Sequence, residues 1–168
     1  MNIDECYGEI SELAARVVSE CAERGVKISA AESCTGGLIS GAVTAVSGSS
    51  AVIELGVCSY SNRVKREVLG VSGATLEMFS EYSVQCAAEM AEGVRRLSGA
   101  DYGVSTTGVA GPTGGSAEHP VGEVCIAVSG SVRGTRSERF LFRGSREQVR
   151  AEAVRTALKL LLEEIEQR

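Results

Sequence analysis

The sequence from residue 26 to residue 46 reads VKISAAESCTGGLISGAVTAV, and the change of pattern within it decides the fold. Residues 26–31 form a short run of apolar and small side chains, which predicts a strand. After the polar turn ESCTGG, apolar residues recur at helical spacing, at Leu38, Ile39, Ala42, Val43 and Val46. A strand that leads through a glycine turn into a helix indicates an α/β fold.

The flanking segments continue this alternation of helices and strands. An N-terminal helix with Gly25 at its C-cap precedes residue 26, and residues 51–60 predict a second strand. Asn62 can cap a short helix through Leu69, and Ser83 can cap a longer one. The remaining predictions are a strand at 102–107, a hairpin of 123–128 with 136–142, and a last helix from about residue 146. Together they predict a three-layer α/β/α sandwich with a mixed, partly parallel sheet, in one domain over residues 1–168.

Composition excludes several classes of function. The net charge of −5 and the pI of about 5.1 disfavour nucleic-acid binding, which needs a basic face. Aromatic residues make up only 4% of the chain, too few for base-stacking platforms. We also expect no membrane contact and a cytoplasmic location, since no long apolar run and no secretory leader is evident. Six dispersed cysteines predict free thiols, and a single histidine predicts no metal site; we expect no cofactor.

Ser33 is the first candidate for chemistry. It lies in the strand-to-helix turn, where open α/β folds keep their sites and where backbone N–H groups can stabilise an oxyanion. The alternative is that Ser33 or Thr35 merely caps the following helix. A nucleophilic serine needs a base, and nothing in the sequence shows the single histidine, His119, near Ser33, so a lysine is the natural choice. Lys65, which follows a strand, is the best placed, although residue type alone favours a solvated helix lysine.

Two other segments are candidates for binding. The glycine-dense loop of residues 108–115 can bring backbone N–H groups close to an anion or a substrate ring, although it matches neither a P-loop nor a dinucleotide-binding motif. A basic stretch follows, and one or two of its arginines could clamp a phosphate. Its members are Arg136, Arg139, Arg143, Arg146 and Arg150.

Several motifs resemble those of the CinA C-terminal domain family, in the same order along nearly the whole chain. The first, AESCTGG at 31–37, is the most specific, and YSN at 60–62 with Lys65 is similar to the family's Y-S-N-x-x-K. The segment TGVAGP at 107–112 followed by Gly114-Gly115 resembles a third motif, and PVG at 120–122 and G-x-R-x-x-V-R at 144–150 also match.

The resemblance implies an amidase that converts nicotinamide mononucleotide to nicotinate mononucleotide and ammonia. It implies Ser33 as the nucleophile and Tyr60 and Lys65 as its activating partners. We expect the substrate to be bound by residues of the first and third motifs. One late arginine is expected either to bind the substrate phosphate or to have a structural role. These residues are Cys34, Thr35, Gly36, Thr107, Gly108, Gly111 and Arg150.

Two positions depart from the family pattern. His119 stands where relatives often have lysine, and residues 78–82 (MFSEY) replace a more basic segment, so both can border the site or a contact in the homo-oligomer that we expect. The rival interpretation is a nucleotide-binding module without catalysis. A DNA-processing role is disfavoured by the acidic composition.

Overall fold

Helices and strands alternate through most of the computed structural model, which describes residues 2–167. The helices are α1 (Ile3–Arg24), α2 (Leu38–Thr44), α3 (Asn62–Glu67), α4 (Gly73–Phe79), α5 (Val84–Ser98) and α6 (Arg146–Glu166). The strands are β1 (Ile28–Glu32), β2 (Ile53–Cys58), β3 (Tyr102–Gly108), β4 (Glu123–Gly130) and β5 (Gly134–Leu141). The predicted elements are all present, and α4 is an additional helix.

The five strands form one open sheet in the order β2-β1-β3-β4-β5. Strand β1 pairs in parallel with both β2 and β3, whereas β3–β4 and β4–β5 are antiparallel. The sheet is therefore mixed and partly parallel, as predicted, and the late hairpin supplies its antiparallel half.

Helices cover both faces of the sheet. On one face α1, α2 and α6 share a core with strand residues such as Ala30, Val104 and Ile126. On the other face α5 packs on alternate strand residues such as Ala31 and Cys125, and α4 packs against α5. Helix α5 lies so close to β3 that a Cβ on Gly103 would stand 2.2 Å from the Ala91 carbonyl oxygen. These layers confirm the predicted α/β/α sandwich.

The order of the parallel strands creates a crevice at the carboxyl end of β1. From β1 the chain crosses to β2 on one side, and it later returns to β3 on the other side. In open α/β sheets such a change of direction separates the two connections and leaves room for a ligand. Ser33 follows β1 at this point, and the segment that contains Lys65 follows β2.

Between residues 2 and 167, no helix has both the length and the apolar character that crossing a bilayer requires.

Candidate active site

The turn after β1 is held by the buried carboxylate of Glu32. Its oxygens accept hydrogen bonds from the N–H groups of Gly37, Ile39 and Ser40 at 2.9–3.0 Å, and from the hydroxyls of Thr35 and Ser40. Glu32 thus accepts hydrogen bonds from the N–H groups at the N-terminus of α2, which a capping side chain usually does. The alternative that Ser33 or Thr35 merely caps this helix is wrong, because Glu32 accepts from these N–H groups instead.

Ser33 is therefore free to meet another partner. Its N–H donates to the Thr106 carbonyl on β3 at 2.9 Å, which fixes its backbone at the end of the sheet. Lys65 Nζ lies 3.2 Å from Ser33 Oγ, and both residues are buried, with 1% of Lys65 and 7% of Ser33 exposed. The structure brings together two residues that are 32 positions apart in sequence, in the contact that a serine nucleophile and its base require.

The surroundings of Lys65 favour a neutral amine. Burial lowers the pKa of Lys65, whereas the negative charge of Glu81 opposes this shift. Among residues 2–167, no carboxylate oxygen lies within 4 Å of Lys65 Nζ. Ser61 rather than Asn62 caps α3, and Lys65 lies in the last turn of this helix, where the helix dipole does not disfavour a cation. Desolvation is therefore the main cause of the lowered pKa.

Arg150 binds the backbone of the nucleophile turn. Its Nε donates to the Cys34 carbonyl at 3.1 Å and its Nη2 to the Thr35 carbonyl at 2.9 Å. Because a trans peptide directs its N–H opposite to its C=O, these contacts turn the N–H groups of Thr35 and Gly36 away from the guanidinium. Within residues 2–167 neither of these N–H groups donates to another residue. Of the two roles considered for Arg150, the geometry supports the structural one.

A pocket of about 110 Å³ opens onto Ser33 and Lys65. Tyr60 lies at its rim with 63% of the residue exposed, and its hydroxyl accepts from Arg146 Nη2 at 3.1 Å rather than contacting Ser33 or Lys65. Arg146 also donates to the Gly111 carbonyl at 2.9 Å. The remaining lining residues are Cys34, Asn62, Glu81, Tyr82, Gly108 and Ala110. The walls thus combine a carboxylate, two phenol rings and a guanidinium.

Several residues predicted to bind substrate lie outside this lining. Thr35 is fully buried, and its hydroxyl contacts Glu32 and Thr106. Thr107 is also buried and donates to the Glu81 carbonyl at 2.6 Å. Gly36 is exposed beside Arg150, and the carbonyl of Gly111 is bound to Arg146. Of the predicted binding residues, the structure places Cys34 and Gly108 in the pocket.

Cys34 is a poor rival to Ser33 as the nucleophile. Burial raises the pKa of the Cys34 thiol to about 12, so that the reactive thiolate is scarce near neutral pH.

Among the described residues 2–167, no group of three or more His, Cys, Asp or Glu side chains is placed to hold a metal ion.

The comparisons with known proteins agree with the motifs that converge on this pocket. The model of the family described as the CinA C-terminal domain matches residues 10–165. The chain belongs to the CinA C-terminal domain family.

Relatives of two lengths are similar to this chain. A CinA-like protein of Anaeromyxobacter sp. strain Fw109-5 is 48% identical over 159 residues, which cover 94% of this chain but 38% of that protein. The nicotinamide-nucleotide amidohydrolase PncC of Enterobacter agglomerans is 43% identical over 155 residues, covering 92% of this chain and 94% of that protein. The chain therefore spans less than two fifths of the longer CinA-like protein and nearly all of the shorter one.

Solved structures share the fold closely. The competence/damage inducible protein CihA from Agrobacterium tumefaciens superposes with a TM-score of 0.90 at 43% identity, over 92% of this chain and 94% of that one. The CinA superfamily protein KP700603 from Klebsiella pneumoniae gives a TM-score of 0.90 at 36% identity, over 95% and 99% of the two chains.

Four CinA motifs meet at the pocket, but two of its residues, Glu81 and Tyr82, lie outside those motifs. Glu81 and Tyr82 belong to the segment 78–82 that departs from the family pattern, which the sequence placed at the border of the site or of an oligomer contact without singling out either residue. Arg146 belongs to the late motif at 144–150, but only Arg150 of that motif was predicted to serve the site. Arg146 lies one turn before Arg150 on the same face of α6, and this spacing is the signal that could have placed both residues at the site.

Proposed function

We propose that this protein is a serine amidase that hydrolyses the carboxamide of nicotinamide mononucleotide to nicotinate mononucleotide and ammonia. The observation that carries the proposal is the buried contact of 3.2 Å between Lys65 Nζ and Ser33 Oγ at the floor of a pocket. The similarity to a nicotinamide-nucleotide amidohydrolase over nearly its full length supports the substrate.

In the first step the neutral amine of Lys65 takes the proton of Ser33 as Oγ attacks the carboxamide carbon. The tetrahedral intermediate then collapses, the C–N bond breaks, and the ammonium group of Lys65 returns the proton to the leaving nitrogen. Ammonia departs and leaves an ester between Ser33 and the nucleotide. Water, deprotonated by the same amine, hydrolyses this ester and regenerates Ser33. No metal ion enters this proton balance.

The oxyanion of each intermediate needs donors that are already in place. The N–H groups of Thr35 and Gly36 are suited to this role, although neither residue is among those that line the pocket. They lie just after Ser33 in the turn, Arg150 orients both peptides, and no other described residue accepts from them. The sequence predicted this role for backbone N–H groups of the strand-to-helix turn, to which both residues belong. Removal of one oxyanion donor typically costs a factor of about 10²–10³ in kcat.

The walls complement the charges of the proposed substrate. Nicotinamide mononucleotide has a pyridinium cation next to its carboxamide and a phosphate at its far end. Glu81 and the rings of Tyr60 and Tyr82 suit the cation, since aromatic faces and carboxylates attract positive charge. Arg146 is exposed at the rim and can contact the phosphate. Tyr60, at the same rim, fits a role in orienting substrate better than one in proton transfer.

The pocket holds only part of a nucleotide. Its volume of about 110 Å³ is below the ~300–1,000 Å³ typical of pockets that enclose a drug-sized ligand. The ribose and phosphate must therefore extend over the rim.

We also propose that the protein forms a homo-oligomer and that it is cytoplasmic. Size-exclusion chromatography with light scattering tests the former, and fractionation of cells tests the latter.

The experiment that tests the function is hydrolysis of nicotinamide mononucleotide by the purified protein, followed by assays of ammonia and nicotinate mononucleotide. We expect both products in equal amounts from the wild type and none from Ser33→Ala, with the variant still folded and able to bind the nucleotide. Binding without hydrolysis by the wild type would instead support a non-catalytic nucleotide-binding module. A Ser33→Ala variant with a tenth of the wild-type turnover would exclude Ser33 as the nucleophile.

A further inference from the structure

A chain of hydrogen bonds beside the pocket links the end of the loop between β3 and β4 to the pocket wall. His119 Nδ1 lies 3.0 Å from Oε1 of the buried Glu123, and His119 Nε2 lies 2.9 Å from Ser80 Oγ. Glu123 also accepts from Arg139 through its other oxygen. Because the Glu123 carboxylate accepts from Nδ1–H, Nε2 of the neutral ring is the acceptor for the Ser80 hydroxyl.

Ser80 in turn holds the segment that contains Glu81 and Tyr82. Its Oγ accepts from the Tyr82 N–H at 3.1 Å, and its carbonyl accepts from Ser83 Oγ at 2.8 Å. Ser80 has a φ of 71°, the only positive φ among the non-glycine residues at 2–167, and such a conformation persists when its surroundings fix it. The His119 ring also meets Tyr82 edge to face, with centroids 5.6 Å apart.

The order Ser80–His119–Glu123 is that of a serine-hydrolase triad, but its setting differs from that of an active site. The pocket that contains Ser33 is lined by Glu81 and Tyr82 and not by Ser80 or His119. Ser80 Oγ is occupied by the Tyr82 N–H as well as by the imidazole. The hydrogen bonds therefore end on the backbone of the wall rather than on an open substrate site.

We propose that His119 is a positioning residue for the substrate, acting through Ser80 to fix Glu81 and Tyr82 in the wall of the pocket. The proposal rests on the amidase function for its kinetic consequence. Two other hydrogen bonds hold this wall, and both come from strands of the sheet. Thr107 donates to the Glu81 carbonyl, and Cys125 Sγ donates to the Tyr82 carbonyl. His119 supplies the hydrogen bond to this wall from the loop between β3 and β4.

Two variants separate the two nitrogens of the ring. In His119→Gln the amide end replaces Nε2 and can still accept from Ser80, while the contact with Glu123 is lost. In His119→Asn the amide end replaces Nδ1 and can still donate to Glu123, while the contact with Ser80 is lost. Since Glu123 is buried, its lost partner destabilises the fold, so His119→Gln should melt at a lower temperature than His119→Asn.

The positioning role predicts the opposite order of the two variants in substrate binding: His119→Asn should be impaired more than His119→Gln. We expect His119→Asn and Ser80→Ala to raise KM for nicotinamide mononucleotide about two- to tenfold, the factor that one side-chain hydrogen bond contributes. We expect kcat to change less than KM, because neither residue contacts Ser33 or Lys65. His119→Gln should keep a KM near that of the wild type despite its lower stability.

Hydrogen exchange of the Tyr82 N–H tests the same inference without turnover. It should be slow in the wild type and in His119→Gln and faster in His119→Asn. Equal exchange rates in all three proteins would overturn the inference even if the protein were no amidase. If the wild type is active, KM values that follow melting temperature, with His119→Gln the worst, would overturn it while leaving the amidase function intact.

Discussion

Replacement of Lys65 by arginine keeps a positive charge next to Ser33 but removes the group that we propose as the base. Lys65 Nζ contacts Ser33 Oγ at 3.2 Å in a buried setting with no carboxylate within 4 Å in the described chain. A guanidinium cannot give up its proton near neutral pH. Its five N–H donors would also meet a single acceptor, Ser33 Oγ, at the position that Lys65 Nζ occupies. We therefore expect Lys65→Arg to be about as inactive as Lys65→Ala.

The expected loss follows from the role of the amine. General-base action typically contributes a factor of about 10²–10⁴, which corresponds to roughly 3–5.5 kcal/mol in the barrier. The loss should appear in kcat, because the amine acts at the floor of the pocket, below the residues that face the rest of the nucleotide. A purely electrostatic role predicts a rescue by arginine and an effect mainly on KM.

The pH profile of the wild type gives a second measure of the same role. Burial lowers the pKa of Lys65, and the protonated form is inactive as a base. The value of kcat/KM should therefore rise with pH below this lowered pKa and level off above it, at a pH below the ordinary lysine pKa of about 10.4.

The assay is release of ammonia from nicotinamide mononucleotide, with kcat and KM determined for wild type, Lys65→Arg and Lys65→Ala. Lys159→Arg is a matched control, because Lys159 is half exposed on α6, pairs with Glu9 at 3.3 Å and lies far from the pocket in the fold. Its kinetics should equal those of the wild type. A Lys65→Arg enzyme within tenfold of wild-type kcat would refute the base role and leave Tyr60 as the candidate for proton transfer.

Other changes test separate parts of the site. Cys34→Ser should retain most activity, because burial holds the thiol protonated; a covalent adduct on Cys34 during turnover would contradict this. Arg150→Lys should lower kcat about tenfold or more with little change in KM, since one ammonium cannot orient both carbonyls, whereas a phosphate-binding role predicts a raised KM. Lys65→Met should raise the unfolding free energy at pH 7 by about 1–3 kcal/mol, measured by urea denaturation, because it removes a buried amine. The gain should shrink as pH rises toward the ordinary lysine pKa, since unfolding takes up a proton only below it; a pH-independent gain would argue against the lowered pKa of Lys65.

Local patterns sufficed to predict most of the fold. The apolar run at 26–31, the glycine turn and the helical spacing after it specified β1 and α2, and Ser83 and Gly25 lie at the helix ends where the sequence placed them. Helix α4 was missed because its seven residues are too few to show a helical period. The cap of α3 was placed one residue late, since Ser61 and Asn62 are both good capping residues.

The parts of the site that depend on long-range partners were harder to predict. Ser33 and Lys65 could be proposed because each follows a strand of a parallel pair, and the carboxyl ends of such strands share one edge. Nothing in the local sequence shows that Glu32 would occupy the N-terminus of α2. The direction of Arg150 toward two carbonyls and of Thr107 toward Glu81 depends on which elements pack together.

The covalent intermediate is the most direct test of the account. Turnover of nicotinamide mononucleotide is quenched in acid within the first cycles, and the peptide that contains Ser33 and Cys34 is sequenced by mass spectrometry. The account predicts a nicotinate mononucleotide ester on Ser33 that is absent in Ser33→Ala and that disappears as substrate is exhausted. Hydrolysis with no adduct on this peptide under any quench, or an adduct on Cys34, would contradict it.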